Sequence, residues 1–375
     1  MVSDHFYDLE LSERLEAHTK ALAGSGIAFS RSIIEIPVVV HVVWRTEVEN
    51  ISDEQIHSQI AAINRDFQVM NDDTVLVDSV FKNRIGNAGF VFTLATVDEN
   101  NLPTTGITRT ETIYGNIGNS FIADIPRLYF SDLGGQDAWD TKRYLNIWVC
   151  EMPLPFLGYG SRPGERIPDE DGVIVDYRRF GTIGDVEPPN HLGRTATHEI
   201  GHYLNLLHIF GDDEEDCSVD DGVQDTPFQT NNYFGCPEEL SSTCGSLDLT
   251  SNFMNFVDDD CMVMFTKGQV ERMNIALMEA RQELLGPLSP TNDLQNEQYI
   301  VDISPNPAVH SVTITFEKLN KPVPYSLINS QGQLVQKGLL IEVVNPLSIA
   351  HLSKGLYWIT LYLEEGQLTK KLLLH

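Results

Sequence analysis

Three histidines and one glutamate fall within eleven residues in the run HEIGHYLNLLH, 198–208. His198 and His202 are four positions apart, so on a helix they share one face about 6 Å apart along the axis. Two neutral imidazoles at that spacing can grip one metal ion. Glu199 stands beside the first, placed to hold a metal-bound water without ligating the metal. These residue types at this spacing suit metal-assisted hydrolysis. His208 follows His198 by ten positions, and a continuous helix would carry it about 15 Å along the axis and turn it away. It reaches the same ion only if the helix stops between Tyr203 and Leu207. Asn205 stands there, a residue that accepts the left-handed conformation ending many helices. The segment therefore predicts a helix, a sharp turn and a third ligand. The competing expectation is a buried amphipathic helix with ordinary core histidines.

The flanking elements must hold this segment. IEIPVVVHVVW, 34–44, is a continuous β-branched run of the kind a buried strand shows. In SDEQIHSQIAAINRDFQVMN, 52–71, Ser52 precedes two acidic residues and apolar residues follow at helical spacing. VFTLATV, YLNIWVCEM and DGVIVDYRRFG read as further strands. Strand, helix and strand followed by the histidine helix predict an α+β domain, the metal helix lying below a mixed twisted sheet. TKGQVERMNIALMEARQE, 266–283, reads as a closing helix.

At 375 residues the chain can form two or three domains with their own cores. No apolar run approaches the roughly 18 residues of a membrane span. Asp and Glu number 54 against 25 Lys and Arg, a formal charge of −29 that repels phosphate backbones and excludes nucleic acid as a partner. Such a charge suits solubility outside the cell and calcium binding. Of the five cysteines, Cys217, Cys236, Cys244 and Cys261 cluster after the metal motif without C-x-x-C spacing, which fits two disulfides in an exported protein better than a structural zinc cage. Cys150 ends a strand-like run and is expected to be a buried free thiol. The opening MVSDHFYDLE has neither a basic n-region nor an apolar h-region, so the chain is cytosolic or its export signal is already gone; the cysteines favour the second.

These signals divide the chain into an acidic, partly helical leader or pro-segment, 1–34, a catalytic domain, 35–285, a linker, 286–298, rich in turn formers, and an all-β sandwich, 299–375.

IPVVVHVVW, ISDEQIHSQIAAINRDF, LNIWVC, GRTATHEIGHYLNLLHIFGD, DGVQDTP and NFMNFVDDDCMVMFTKGQVERM together resemble the pappalysin branch of the metzincin zinc metallopeptidases, its cytophagalysin-like bacterial members in particular. The resemblance implies a secreted zinc endopeptidase with His198, His202 and His208 as zinc ligands. It implies Glu199 as general base and acid, and Met254 as the Met-turn residue beneath the ion. Many such enzymes carry Tyr two positions after that Met, and this chain has Phe256. A phenyl ring cannot donate a hydrogen bond to an oxyanion, and losing one such donor can cost about 10²–10³ in rate. Gly158, Tyr159 and Gly160 fall where metzincins keep the edge strand that pairs with a substrate backbone; a plain turn with two glycines is the alternative. By resemblance, Asp260 falls in the loop that walls the S1′ pocket in related folds, where a carboxylate would favour Arg or Lys after the scissile bond. Calcium binding or a helix cap is the other use for its loop. By the same resemblance Asp221, the Val223 carbonyl, Asp225 and Thr226 are calcium candidates, and the disulfides are Cys217–Cys244 and Cys236–Cys261.

ISPNPAVHSVTI, SLINSQGQLVQKG, LSKGLYWITL and LTKKLLLH, in this order at the terminus, resemble the Por (type IX) secretion sorting domain. The implied partners are peptide or protein substrates and the secretion machinery, and the implied place is outside the cell or on its surface. Asp4, His5 or Asp8 could mask the metal from the lead-in, or the leader could be inert. Two further readings stay open: a zinc-containing protein that holds peptides without cutting them, which rests on Phe256, and an adhesin acting through its β-sandwich.

Overall fold

The computed structural model describes residues 8–22, 34–211, 217–230, 232–239, 241–285 and 301–374, apart from short breaks at 317, 320–322, 330–333 and 364–365. The expected linker 286–298, together with Asp4 and His5, lies outside the described residues. The chain divides near residue 286 into two compact units.

The first unit opens with α1, Leu9–Leu22. The Asp8 carboxylate accepts from the Leu11 N–H at 3.0 Å and so caps this helix; it is not one of the groups at the histidines. The β-branched run forms β1, Ile34–Trp44, buried on both faces. Successive side chains alternate, so Val38, Val40 and Val42 enter the main core while Val39, His41 and Val43 face the other side. Ser52 accepts from the Gln55 N–H at 3.2 Å and starts α2, Asp53–Phe67, as the sequence predicts.

β2, Phe90–Leu94, pairs with the first half of β1, and β3, Ile107–Glu111, with its second half. β4, Leu145–Cys150, lies on the other side of β1. Beyond it the sheet continues to β6, Val173–Asp176, and ends at β5, Gly158–Gly160. All neighbours run parallel except β5, which is antiparallel to β6 at the sheet edge. β3 escapes the sequence analysis because ITRTE lies half exposed and lacks an apolar run.

Under the sheet lies α3, Arg194–Tyr203. Burying a helix this polar requires partners for its side chains. Arg194 pairs with Asp73 at 2.5 Å and Asp66 at 3.7 Å, and the Thr197 hydroxyl donates to Asp66 at 2.8 Å. Asp259 accepts from the Leu192 N–H at 2.7 Å ahead of the first turn. The unit closes with α4, Lys267–Glu279, begun by a capping box between Thr266 and Gln269. This helix ends four residues short of the sequence expectation, and a short 3₁₀ turn, Gln282–Leu285, follows. α1 packs against α4, so the described part of the leader is built onto the first unit.

The second unit is a sandwich of a three-stranded and a four-stranded sheet. β7, Val301–Ser304, pairs antiparallel with β8, Ser311–Phe316, which buries alternate residues, Val312, Ile314 and Phe316, against Leu327, Ile359, Leu361 and Leu372. No helix among the described residues is long and apolar enough to cross a membrane.

Candidate active site

The helix that carries His198 and His202 ends at Tyr203, and Asn205 has φ 71°. Asn tolerates this left-handed conformation better than other residues bearing a Cβ. The turn is held from α4 and from the residues just after it. Arg272 Nε donates to the Asn205 carbonyl at 2.6 Å, and Arg281 Nε to the Tyr203 carbonyl at 2.8 Å. Both carbonyls would otherwise be unpaired at a buried helix end. Arg272 is itself paired with Glu16 of α1, and Arg281 with Asp171. Sequence analysis missed these two arginines. Their signal was faint: cations within a helix whose remaining periodic positions are apolar.

Past the turn the three imidazoles converge. His202 Nε2 lies 3.1 Å from His198 Nε2 and 3.1 Å from His208 Nε2. The proton positions follow from the other ring nitrogens. His198 Nδ1 donates to the Phe253 carbonyl at 2.7 Å, and His202 Nδ1 to the Leu206 carbonyl at 2.8 Å. A carbonyl only accepts, so in these two neutral rings Nε2 is a bare lone pair. Lone pairs facing one another at 3.1 Å repel unless a cation sits between them. Three nitrogens on a tetrahedral zinc with about 2.05 Å bonds would stand roughly 3.3 Å apart, so the residues fit such an ion. Among the described residues they are the one group of three or more His, Cys, Asp or Glu whose ligand atoms all lie within 4.8 Å of one another. Burial and the neighbouring imidazoles push all three pKa values down to about 3, which keeps the rings neutral.

Beneath the tripod Met254 is fully buried. A Cβ on Gly201 would stand 2.5 Å from the Met254 sulfur, so only glycine at 201 lets helix and turn approach this closely. The same turn supplies the Phe253 carbonyl to His198 and the Met254 carbonyl, which accepts from the Ile209 N–H at 3.1 Å beside His208. Phe256 stands with its ring 4.7 Å from that of His208 and 6.0 Å from that of His198.

Glu199 is buried, which pushes its pKa up to about 8 against the opposing effect of the Gly160 backbone N–H, which donates to it. Gly158 and Gly160 both lie on it: a Cβ on Gly158 would stand 2.7 Å from the Glu199 side chain, and one on Gly160 2.1 Å from its carbonyl oxygen. Leu157 and Ser161 are hydrogen-bonded toward β6, so by alternation the peptide groups of Gly158 and Gly160 point to the free edge. Tyr159 turns the other way. Its ring stacks on Phe121 at 4.7 Å and its hydroxyl meets Arg166 at 3.1 Å, so only its backbone stays near the cleft.

Cys217 is bonded to Cys244 and Cys236 to Cys261, while Cys150 is free and buried. Asp260, next to Cys261, is exposed, whereas Asp259 is turned inward. In the loop after the third histidine, Asp221 Oδ1 accepts from Thr226 Oγ1 at 2.7 Å and the Val223 N–H at 3.1 Å, and the Thr226 hydroxyl also lies 2.8 Å from the Val223 carbonyl. Asp221 Oδ2 and Asp225 Oδ1 are buried with no hydrogen-bond partner.

The family model described as pregnancy-associated plasma protein-A matches residues 130–278, and that of the secretion system C-terminal sorting domain matches residues 302–375. An extracellular metalloprotease of Arthroderma benhamiae is 29% identical over 269 residues, 71% of this chain and 85% of that protein. Mature mirolysin of Tannerella forsythia, solved in complex with a cleaved peptide, is 45% identical with a TM-score of 0.65, over 68% of this chain and 96% of that one. The chain belongs to the pappalysin family of metzincin metallopeptidases. Promirolysin from the same organism is 41% identical over 74% of this chain and 91% of that one, with a TM-score of 0.67. The pappalysin chain described here is thus a zinc metalloendopeptidase of α+β fold with a sorting domain that marks it as secreted or held at the cell surface.

Proposed function

We propose that this pappalysin cleaves extended peptides through a zinc ion held by His198, His202 and His208, with Glu199 as the general base and then the general acid. The observation that carries this reading is the 3.1 Å spacing of Nε2 atoms whose rings are oriented by carbonyls of Phe253 and Leu206. When bound, zinc acts as a Lewis acid, polarising the scissile carbonyl and lowering the pKa of a water toward about 7. The Glu199 carboxylate, which a bound zinc ion would keep ionised against the effect of burial, accepts a proton from the attacking water and returns it to the leaving amine nitrogen. The free edge of β5 orients the substrate backbone beside that carboxylate. Phe256 leaves the oxyanion without the hydrogen bond that a tyrosine there would donate.

Asp260 is the exposed carboxylate of its loop and selects Arg or Lys at P1′. Asp221, the Val223 carbonyl, Asp225 and Thr226 hold a structural calcium ion. Two buried carboxylate oxygens without partners support that assignment, since hard cations take such oxygens as ligands. Residues 35–285 are the catalytic domain and 299–375 the module that engages the secretion machinery, joined by the linker 286–298. Residues 1–34 precede the catalytic domain as a leader or pro-segment.

Casein hydrolysis that is lost on chelation, restored by zinc and absent in Glu199→Ala is the expected result. Equal turnover by wild type and Glu199→Ala would overturn the mechanism and leave a peptide-binding protein.

A further inference from the structure

Phe234 is 72% exposed, yet the chain around it is fixed. On one side the Tyr233 N–H donates to Asn255 Oδ1 at 3.0 Å and the Tyr233 hydroxyl to Asp248 at 2.5 Å. On the other side the Gly235 carbonyl accepts from the Asp258 N–H at 3.2 Å, and Cys236 is bonded to Cys261. A backbone pinned on both flanks therefore presents an apolar ring to water. An exposed Phe side chain forgoes the gain of burial, which a ligand covering it would recover. A ring with only two side-chain torsions on a fixed backbone loses little entropy when it is covered.

The ring is not isolated. It lies 6.0 Å from Phe256, which lies 5.2 Å from Phe210 and 4.7 Å from His208. Aromatic surface thus runs without a break from a ligand imidazole out to Phe234. The Cys236–Cys261 bond, with Cα atoms 5.7 Å apart, ties the Phe234 loop to the segment bearing Asp260. Following the ring centres, Phe234 lies at most about 11 Å from His208. An extended peptide advances about 3.4 Å per residue; with Asp260 read at P1′ and the Cys236–Cys261 bond placing Phe234 on the same side, a side chain covering Phe234 belongs to the second or third residue past the scissile bond.

We infer that Phe234, backed by Phe256, is the wall of an apolar subsite that takes a bulky aliphatic or aromatic substrate side chain at P2′ or P3′. The inference rests on the peptidase reading above and adds a second specificity determinant to Asp260. The two are read at different substrate positions, one by charge and the other by apolar contact.

Cleavage-site profiling of a peptide library by wild type, Phe234→Ser and Phe234→Leu tests it. Wild type is expected to enrich Leu, Ile, Phe or Tyr at P2′ or P3′. Phe234→Ser should lower that enrichment about 5- to 20-fold and Phe234→Leu should keep most of it, with the P1′ profile the same in all three. A binding measurement decides the matter without turnover. Zinc-loaded Glu199→Ala protein is titrated with fluorescein-labelled Gly-Gly-Arg-Leu-Leu and Gly-Gly-Arg-Ser-Ser. The first should bind at least about fivefold more tightly, and the preference should vanish when Phe234→Ser is added. A preference that survives Phe234→Ser in both experiments overturns the subsite. If wild type cuts nothing, the peptidase reading fails, and the binding ratio alone decides whether Phe234 holds apolar side chains.

Discussion

Gly158 lies so close to Glu199 that a single added methyl group would stand 2.7 Å from both the Cγ and the Oε1 of the carboxylate side chain. Edge strand and general base are therefore one packed unit, and the strand sets where the carboxylate points. Gly158→Ala must push Glu199 aside while leaving the sheet and the metal ligands in place. Displacing a catalytic group by about 1 Å can cost on the order of 10²-fold. The expected outcome is a kcat about 100-fold lower on a quenched peptide, with KM and zinc content close to wild type. Unchanged kcat would show that the strand does not position the base.

Asn205 joins the helix to the third histidine through a left-handed residue whose carbonyl is held by Arg272. Asn205→Gly should be nearly neutral, because glycine adopts φ 71° without strain. Asn205→Val places a β-branched residue where it is a genuine outlier, at a cost of about 1–3 kcal/mol. Zinc affinity by competition with a chromophoric chelator should drop about tenfold or more in Asn205→Val and stay within about twofold in Asn205→Gly. Equal affinities would mean that the turn does not limit how the third histidine arrives.

Much of this arrangement is legible in the sequence, because ligand spacing, the turn former and the β-branched core strand are local signals. The Asn205 bend is local in this sense: one residue type and one offset predict it. The brace on that bend is not. Glu16, Arg272 and Asn205 are far apart in sequence, and nothing in an acidic leader or an amphipathic helix announces that they meet. Tyr159 shows the same limit. The resemblance places the triplet 158–160 at an edge strand, with a plain turn as the alternative, but the face its tyrosine takes depends on Phe121 and Arg166, which only folding brings near.

Phe256 permits a gain of function. Its ring stands 4.7 Å from His208, beside the ion site, and has no donor to offer an oxyanion. Phe256→Tyr adds one hydroxyl at the para position. Where such a donor acts fully it is worth about 10²–10³ in rate, so kcat should rise about tenfold or more with little change in KM. Burst-free steady-state kinetics on one peptide suffices. A lower kcat in Phe256→Tyr would mean that the hydroxyl points away from the reacting carbonyl.

On the opposite face of the sheet His41 is fully buried between Thr108 Oγ1 at 2.7 Å and Asn146 Oδ1 at 2.9 Å. Burial lowers its pKa from 6.5 to about 4, partly opposed by Asn146 and Asp137. Between these two values the unfolded chain binds a proton that the folded chain does not, so stability rises with pH across that window. Its contribution is complete above about pH 6.5 and lost as pH falls through 4, up to about 3 kcal/mol. Urea midpoints at pH 7 and pH 5 should differ clearly in wild type and by less in His41→Gln. The same difference in both would assign the acid sensitivity to other groups.

Asp221 and Asp225 make the calcium assignment testable through stability. Asp221 is buried, and burial pushes its pKa up to about 7 against the hydrogen bonds from Thr226 and Val223. A bound cation reverses that cost by holding the carboxylate ionised. Calcium at 100 times its dissociation constant stabilises the folded state by about 2.7 kcal/mol. For a unit of roughly 250 residues that corresponds to a rise in Tm of about 5–10 °C. Zinc-saturated protein should therefore melt 5–10 °C higher in millimolar calcium than in a calcium-selective chelator. Asp221→Asn should lose the difference, because an amide oxygen carries no charge. Magnesium should restore little of it, since that smaller ion demands near-octahedral geometry and keeps its water. A wild-type Tm indifferent to calcium would remove the ion from this loop and leave the two unpaired carboxylate oxygens as buried polar groups that cost stability.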